Sequence, residues 1–129
     1  MNQPTALIAD DMEEMRLLLK KTLEILGINV IAQVEDGEQA LQAIAAQQPD
    51  LCFLDIGMPG RSGLELLREI GSRRITTYPV IISGHSTIDN VKAAIAEGAK
   101  AFVVKPYTFD KVKQVSDRYF STVHRLKGA

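Results

Sequence analysis

The chain has 129 residues, enough for one self-sufficient core, and its 46% hydrophobic and 24% charged content excludes a disordered or low-complexity protein. One cysteine, Cys52, excludes an internal disulfide framework, and with no basic-then-apolar leader and no run of membrane-spanning length the expectation is a soluble, cytoplasmic protein. The net charge of −1 hides a gradient, nine acids against three bases in residues 1–50 but two against seven in residues 100–129, and with no aromatic platform or tight basic block the basic end reads as a solvated helix face, not a nucleic-acid surface.

Thr5–Ala9 (TALIA) reads as a short apolar strand that ends in two acids, Asp10-Asp11. Met12, Met15, Leu18, Leu19, Thr22 and Leu26 follow three and four apart, the spacing of an amphipathic helix that Gly27 stops. Residues 30–34 form the next strand, with Glu35-Asp36-Gly37 as its turn. Residues 38–48 are Ala-rich, with Leu41, Ile44 and Ala45 on one face of a second helix that Pro49 closes. The apolar run Leu51-Cys52-Phe53-Leu54 is a strand buried on both faces, and Asp55 stands where it ends. Gly57, Pro59, Gly60 and Gly63 then force a loop.

Ser62 caps a third helix, Glu65 sits at the capping-box position, and Leu64, Leu67 and Ile70 form its buried stripe. Residues 79–82 make a fourth strand ending at Ser83-Gly84. Ser86 or Thr87 caps a fourth helix carrying Ile88, Val91 and Ile95. Residues 101–104 make a fifth strand ending at Lys105-Pro106. Thr108 caps the last helix, whose inner face is Phe109, Val112, Val115, Tyr119, Val123 and Leu126. Five strands alternating with five helices predict one domain, a doubly wound α/β sandwich around an open parallel sheet.

Asp10-Asp11, Asp55, Ser83 and Lys105 all stand at strand ends, which a parallel sheet gathers on one edge. Three crowded carboxylates repel one another, and a divalent cation relieves that conflict. Hard oxygen ligands without His or Cys suit Mg²⁺, and His85 and His124 have no partners at metal spacing. A metal, a lysine and a hydroxyl around one carboxylate make a phosphoryl-binding arrangement, in which the carboxylate itself can be the nucleophile.

These marks, the acidic pair, the loop D-x-x-M-P-G-x-S-G, a small hydroxyl residue after the fourth strand and K-P after the fifth, resemble the receiver domain of two-component response regulators, the CheY-like family. The resemblance runs over nearly the whole chain and implies a single receiver domain over residues 1–129, with its core at about 5–126. It implies the flavodoxin-like (βα)5 fold with strand order 2-1-3-4-5. It further implies that Asp55 is the phosphoacceptor and that Mg²⁺ (or Mn²⁺) is held by Asp11, Asp55, the Gly57 carbonyl and, through water, Asp10. Ser83 and Gly84 would bind phosphoryl oxygens, Lys105 would pair with the phosphoryl group, and Phe102 would turn inward as Ser83 moves. A cis peptide is implied between Lys105 and Pro106.

The donor implied is a histidine kinase or phosphotransfer protein. The reader is a downstream protein or an output domain at the surface of the fourth helix, fifth strand and fifth helix. Such a domain is a switch that assists only its own phosphorylation and dephosphorylation. Two other readings compete. A haloacid-dehalogenase-like phosphatase needs a second acid two residues after its nucleophile, where this chain has Gly57. A pseudo-receiver would keep the fold without phosphorylation, against the full set Asp10, Asp11, Asp55, Ser83 and Lys105.

Overall fold

The computed structural model describes residues 3–84 and 87–128. His85 and Ser86, and the side chains of His124 and Leu126, lie outside the described residues. The five apolar runs become β1 (Thr5–Ala9), β2 (Asn29–Val34), β3 (Leu51–Asp55), β4 (Tyr78–Ser83) and β5 (Ala101–Val104). The segments between and after them become α1 (Glu13–Ile25), α2 (Gly37–Gln47), α3 (Gly63–Ser72), α4 (Ile88–Ala96) and α5 (Phe109–Gly128). All neighbouring strands pair in parallel, in the order β2-β1-β3-β4-β5. The Lys105–Pro106 peptide is cis.

Side chains alternate across a strand, so each strand feeds two cores. Ala6, Ile8, Phe53, Val80, Ile82 and Val103 meet α1 and α5, where Leu19, Leu23, Val112, Val115 and Tyr119 are buried. Leu7, Ala9, Cys52, Leu54 and Ile81 meet α2, α3 and α4. Both layers cover β3, and all five of its residues are buried. Burial pushes the Cys52 thiol up to about 12, against the pull of Thr77, so it is a small core residue rather than a nucleophile.

The helices stop and start where the punctuation requires. Gly27 and Gly98 adopt φ of +84° and +107° just beyond α1 and α4, a conformation that costs other residues strain. Asp36, Ser62 and Thr87 each accept a backbone N–H at their helix N-termini, at 2.9, 3.3 and 3.1 Å. Thr108 does the same for Lys111 at 3.2 Å.

Several helix faces differ from the expected ones. In α1 the buried residues are Leu19, Thr22 and Leu23, while Leu18 and Met12 are exposed. In α2 Ala40 is buried and Ala45 exposed; in α3 Leu66 is buried and Leu64 only partly so. Phe109 of α5 is exposed, and Ser116 takes a buried place with its hydroxyl donated to the Val112 carbonyl at 2.9 Å. The largest change is in α4, where Ile88 and Ile95 are 72% and 61% exposed and Ala94 alone is fully buried. Ala94 takes the buried place, and Ile95 beside it and Ile88 in the first turn are left in solvent.

Candidate functional site

The carboxyl ends of β1, β3, β4 and β5 form one edge, and backbone bonds carry the sheet registry just past the strands. Asp10 donates its N–H to the Val34 carbonyl at 3.1 Å, Ile56 to Ile82 at 2.9 Å, and Lys105 to Ser83 at 2.7 Å. The residues after each strand are thereby fixed against their neighbours before any side chain interacts.

On that edge, Asp10, Asp11 and Asp55 each offer a carboxylate oxygen, all within 4.8 Å of one another. Asp10 and Asp55 are buried and Asp11 is exposed. The Lys105 Nζ lies 2.8 Å from Asp10 Oδ2 and 2.9 Å from Asp55 Oδ2. Its aligned hydrogen bond goes to Asp55, so the buried Asp10 Oδ2 has an ion-pair neighbour but no aligned donor. The other oxygens are better served: Asp10 Oδ1 accepts from the Met12 N–H at 2.9 Å, and Asp55 Oδ1 from the Gly57 N–H at 3.0 Å.

The titration behaviour follows from this crowding. Burial lifts the Asp10 carboxyl above its ordinary value and Asp55 adds to the rise, while the adjacent Lys105 ammonium and the Met12 N–H only partly oppose it. Burial would lower Lys105, but its bonds and charge contacts with Asp10 and Asp55 outweigh that and hold it above its ordinary value. One ammonium thus lies against two of three crowded carboxylates, and an aligned partner is missing at Asp10 Oδ2. An all-oxygen donor set with excess negative charge fits a hard divalent cation such as Mg²⁺ or Mn²⁺. Among the described residues no other trio of His, Cys, Asp or Glu offers such a cluster.

Ser83 is completely buried at the end of β4, in register with Val104 of β5, and Gly84 beside it is exposed. A side chain at Gly57 would begin 3.8 Å from Asp55 Oδ1, so this residue borders the carboxylate without covering it. Phe102 is half-buried and packs against the α2–α3–α4 layer.

The structure adds residues that sequence reasoning missed. Arg16 donates Nη1 to the Asp10 carbonyl at 2.6 Å, and the buried Tyr107 donates its hydroxyl to the Met15 carbonyl at 2.8 Å. Their only signals are a basic residue one turn into α1 and a hydroxylated aromatic directly after Lys105-Pro106. Arg61, in the loop after Asp55, pairs with Glu38 at 2.7 Å and Glu69 at 3.5 Å. The Gly37 N–H bonds Pro59 in the same loop at 3.2 Å.

Gly37 tolerates nothing larger. A Cβ there would overlap the Arg61 carbonyl oxygen and lie 2.6 Å from both Arg61 N and Arg61 Cβ. Overpacking against backbone forces the loop or α2 to move. Gly37→Ala is therefore expected to cost about 1–3 kcal/mol in urea unfolding. An unchanged denaturation midpoint would contradict this packing.

The model of the response regulator receiver domain matches residues 6–117. The chain belongs to the response regulator receiver domain family. This receiver domain is 35% identical over 112 residues to the chemotaxis protein CheY of Bacillus subtilis, covering 87% of this chain and 93% of that protein. It is 32% identical over 121 residues to the DNA-binding transcriptional regulator NtrC of Klebsiella pneumoniae, with 94% of this chain but only 26% of that protein covered. The CheX–CheY–BeF3–Mg²⁺ complex of Borrelia burgdorferi superposes with a TM-score of 0.85 at 30% identity, over 90% of this chain and 88% of that one. Receiver domains are phosphorylation-activated signalling switches served by histidine kinases, not conventional enzymes, and the acidic pocket with Lys105 is what that function requires. Among the described residues no helix is long and apolar enough to cross a membrane.

Proposed function

We propose that this chain acts in the cytoplasm, that Asp55 accepts a phosphoryl group from a histidine kinase or a phosphotransfer protein, and that Asp10, Asp11, Asp55 and the Gly57 carbonyl hold Mg²⁺ beside it. The observation that carries this reading is the Lys105 ammonium lying against both Asp10 and Asp55, 2.8 and 2.9 Å away. A bound divalent cation would supply charge neutralisation for the phosphoryl oxygens. The chain's own residues do the rest. An Asp55 carboxylate oxygen attacks phosphorus, and the P–N bond to the donor's histidine breaks as the new O–P bond forms, the imidazole leaving with its electron pair. Lys105 holds a positive charge at a fixed point against the transferred oxygens. Ser83 and the Gly84 backbone donate hydrogen bonds to them.

The output in this reading is the face of α4, β5 and α5. Ser83 moves toward the phosphoryl group, Phe102 follows into the space vacated, and a downstream protein or an output domain reads the altered surface. The exposed Ile88 and Ile95 of α4 give that face an apolar contact area of the kind partners use. Beryllofluoride with Mg²⁺ mimics the phosphoryl group without chemistry. Amide spectra are expected to shift at Ser83, Gly84, Phe102 and along α4. Shifts confined to the loops after β1 and β3 would refute the switch.

A further inference from the structure

The start of α1 is tied to both halves of the site. Arg16 donates to the backbone carbonyl of Asp10 at 2.6 Å, the Met12 N–H donates to Asp10 Oδ1 at 2.9 Å, and Tyr107 donates to the Met15 carbonyl at 2.8 Å. Tyr107 is two residues beyond Lys105, with Pro106 restricting the backbone between them. Lys105 is pinned on its other side by its N–H bond to the Ser83 carbonyl at 2.7 Å. The lysine is thus held between the sheet and α1, and the acid that it touches is held by the same helix.

We propose that Tyr107 and Arg16 are positioning residues for phosphoryl transfer, fixing the Lys105 segment and the Asp10-Asp11 loop to one ruler, the first turns of α1. The proposal rests on the reading of Asp55 as phosphoacceptor. A purely packing role for Tyr107 needs only its ring, which sits in the core with Leu19, Leu23, Val112 and Val115. The hydroxyl does something else: it crosses from the β5–α5 connection to another element. Burial, and then the charges of Asp10 and Asp55, hold that phenol above its ordinary value, so it stays a donor wherever the fold is stable. Removing it frees the Lys105 segment on one side only. The lysine would still be present and charged, but no longer fixed to the geometry that in-line transfer rewards. Arg16 acts on the other half. Its loss frees the Asp10 carbonyl and loosens the acid loop that presents two of the three carboxylates.

The test compares wild type, Tyr107→Phe and Arg16→Met well below their unfolding temperatures. Phosphoryl uptake is timed against acetyl phosphate concentration at saturating Mg²⁺, and Mg²⁺ binding is measured separately by calorimetry without donor. For Tyr107→Phe the saturating rate is expected to fall on the order of tenfold. Its half-saturating donor concentration and Mg²⁺ affinity should stay within about twofold of wild type, since neither binding surface is altered. For Arg16→Met the donor-free Mg²⁺ affinity is expected to weaken on the order of tenfold. Wild-type rates in Tyr107→Phe, with only a lower unfolding temperature, would reduce the tyrosine to packing and overturn its role. Unchanged Mg²⁺ binding in Arg16→Met would overturn that of the arginine. If wild type took up no phosphoryl group from either acetyl phosphate or a purified histidine kinase, the phosphoacceptor reading would fail first, and this inference with it.

Discussion

Replacing Lys105 by methionine is expected to lower the unfolding free energy by about 3 kcal/mol at pH 7 in the absence of divalent ions. The reason is the imbalance at the sheet edge. Lys105 is the ammonium against two buried carboxylates, Asp10 and Asp55, with Asp11 close by. Its removal leaves charge buried without compensation, which costs far more than a surface pair is worth. The loss should depend on pH in a defined way. Folding raises Asp10 above its ordinary 3.8, so its charged form already opposes folding. Stability is undiminished below that value and falls as pH rises through the folded one. Without Lys105 that fall deepens, and the gap between variant and wild type closes in acid, where Asp10 is neutral.

At the alkaline end wild-type stability falls again with rising pH, now through Lys105. Lys105 is held above 10.5, so its contribution is complete below 10.5 and disappears as pH climbs through the raised value. Wild type should show that loss and the variant should not. A divalent cation gives the same carboxylates a positive partner, so saturating Mg²⁺ should restore much of the variant's stability. Urea unfolding across pH with and without Mg²⁺ checks all three. Equal stability of variant and wild type at pH 7 without metal would contradict the electrostatic account of the site.

The second large effect is at Asp55 and is chemical, not structural. Asp55→Asn keeps the volume and an acceptor oxygen that the Gly57 N–H can still reach, and Lys105 retains Asp10 as its ion partner. One of three crowded like charges also disappears. The variant should therefore fold with stability within about 1 kcal/mol of wild type, relief of like-charge repulsion offsetting the amide NH2 that replaces Oδ2 beside the Lys105 ammonium. It should nevertheless lose phosphoryl uptake outright, because a carboxamide has no nucleophilic oxygen of comparable strength. Loss of uptake with an intact fold separates the acceptor from every residue that merely shapes the pocket.

The site was legible in the sequence because strand ends are where apolar runs meet charge. Asp10, Asp55, Ser83 and Lys105 each follow such a run, and a parallel sheet needs no further information to bring them together. The strand segments were legible for the same reason. The faces of the helices were not. Around α1 there are leucines on more than one side, with Leu17 and Leu18 exposed beside the buried Leu19 and Leu23, so spacing admits two overlapping stripes. In α4 the largest apolar residues, Ile88 and Ile95, lie in solvent while the small Ala94 takes the buried place. Periodicity records hydrophobic side chains; it does not record which of them the core takes up. Arg16 and Tyr107 were missed because each acts on a backbone carbonyl of another segment, an interaction with no sequence pattern. The grip of Arg61 on Glu38 and Glu69 likewise exists only once α2 and α3 lie side by side.

The central claim is that Asp55 is a metal-dependent phosphoacceptor, and intact-mass spectrometry after incubation with acetyl phosphate tests it most directly. With Mg²⁺ the wild-type chain should gain one phosphoryl group, assigned to Asp55 after borohydride trapping of the acyl phosphate. Chelation of the metal should abolish the gain, and so should Asp55→Asn. A phosphoryl group taken up equally by Asp55→Asn, or a wild type unmodified by both acetyl phosphate and a purified histidine kinase, would contradict the account.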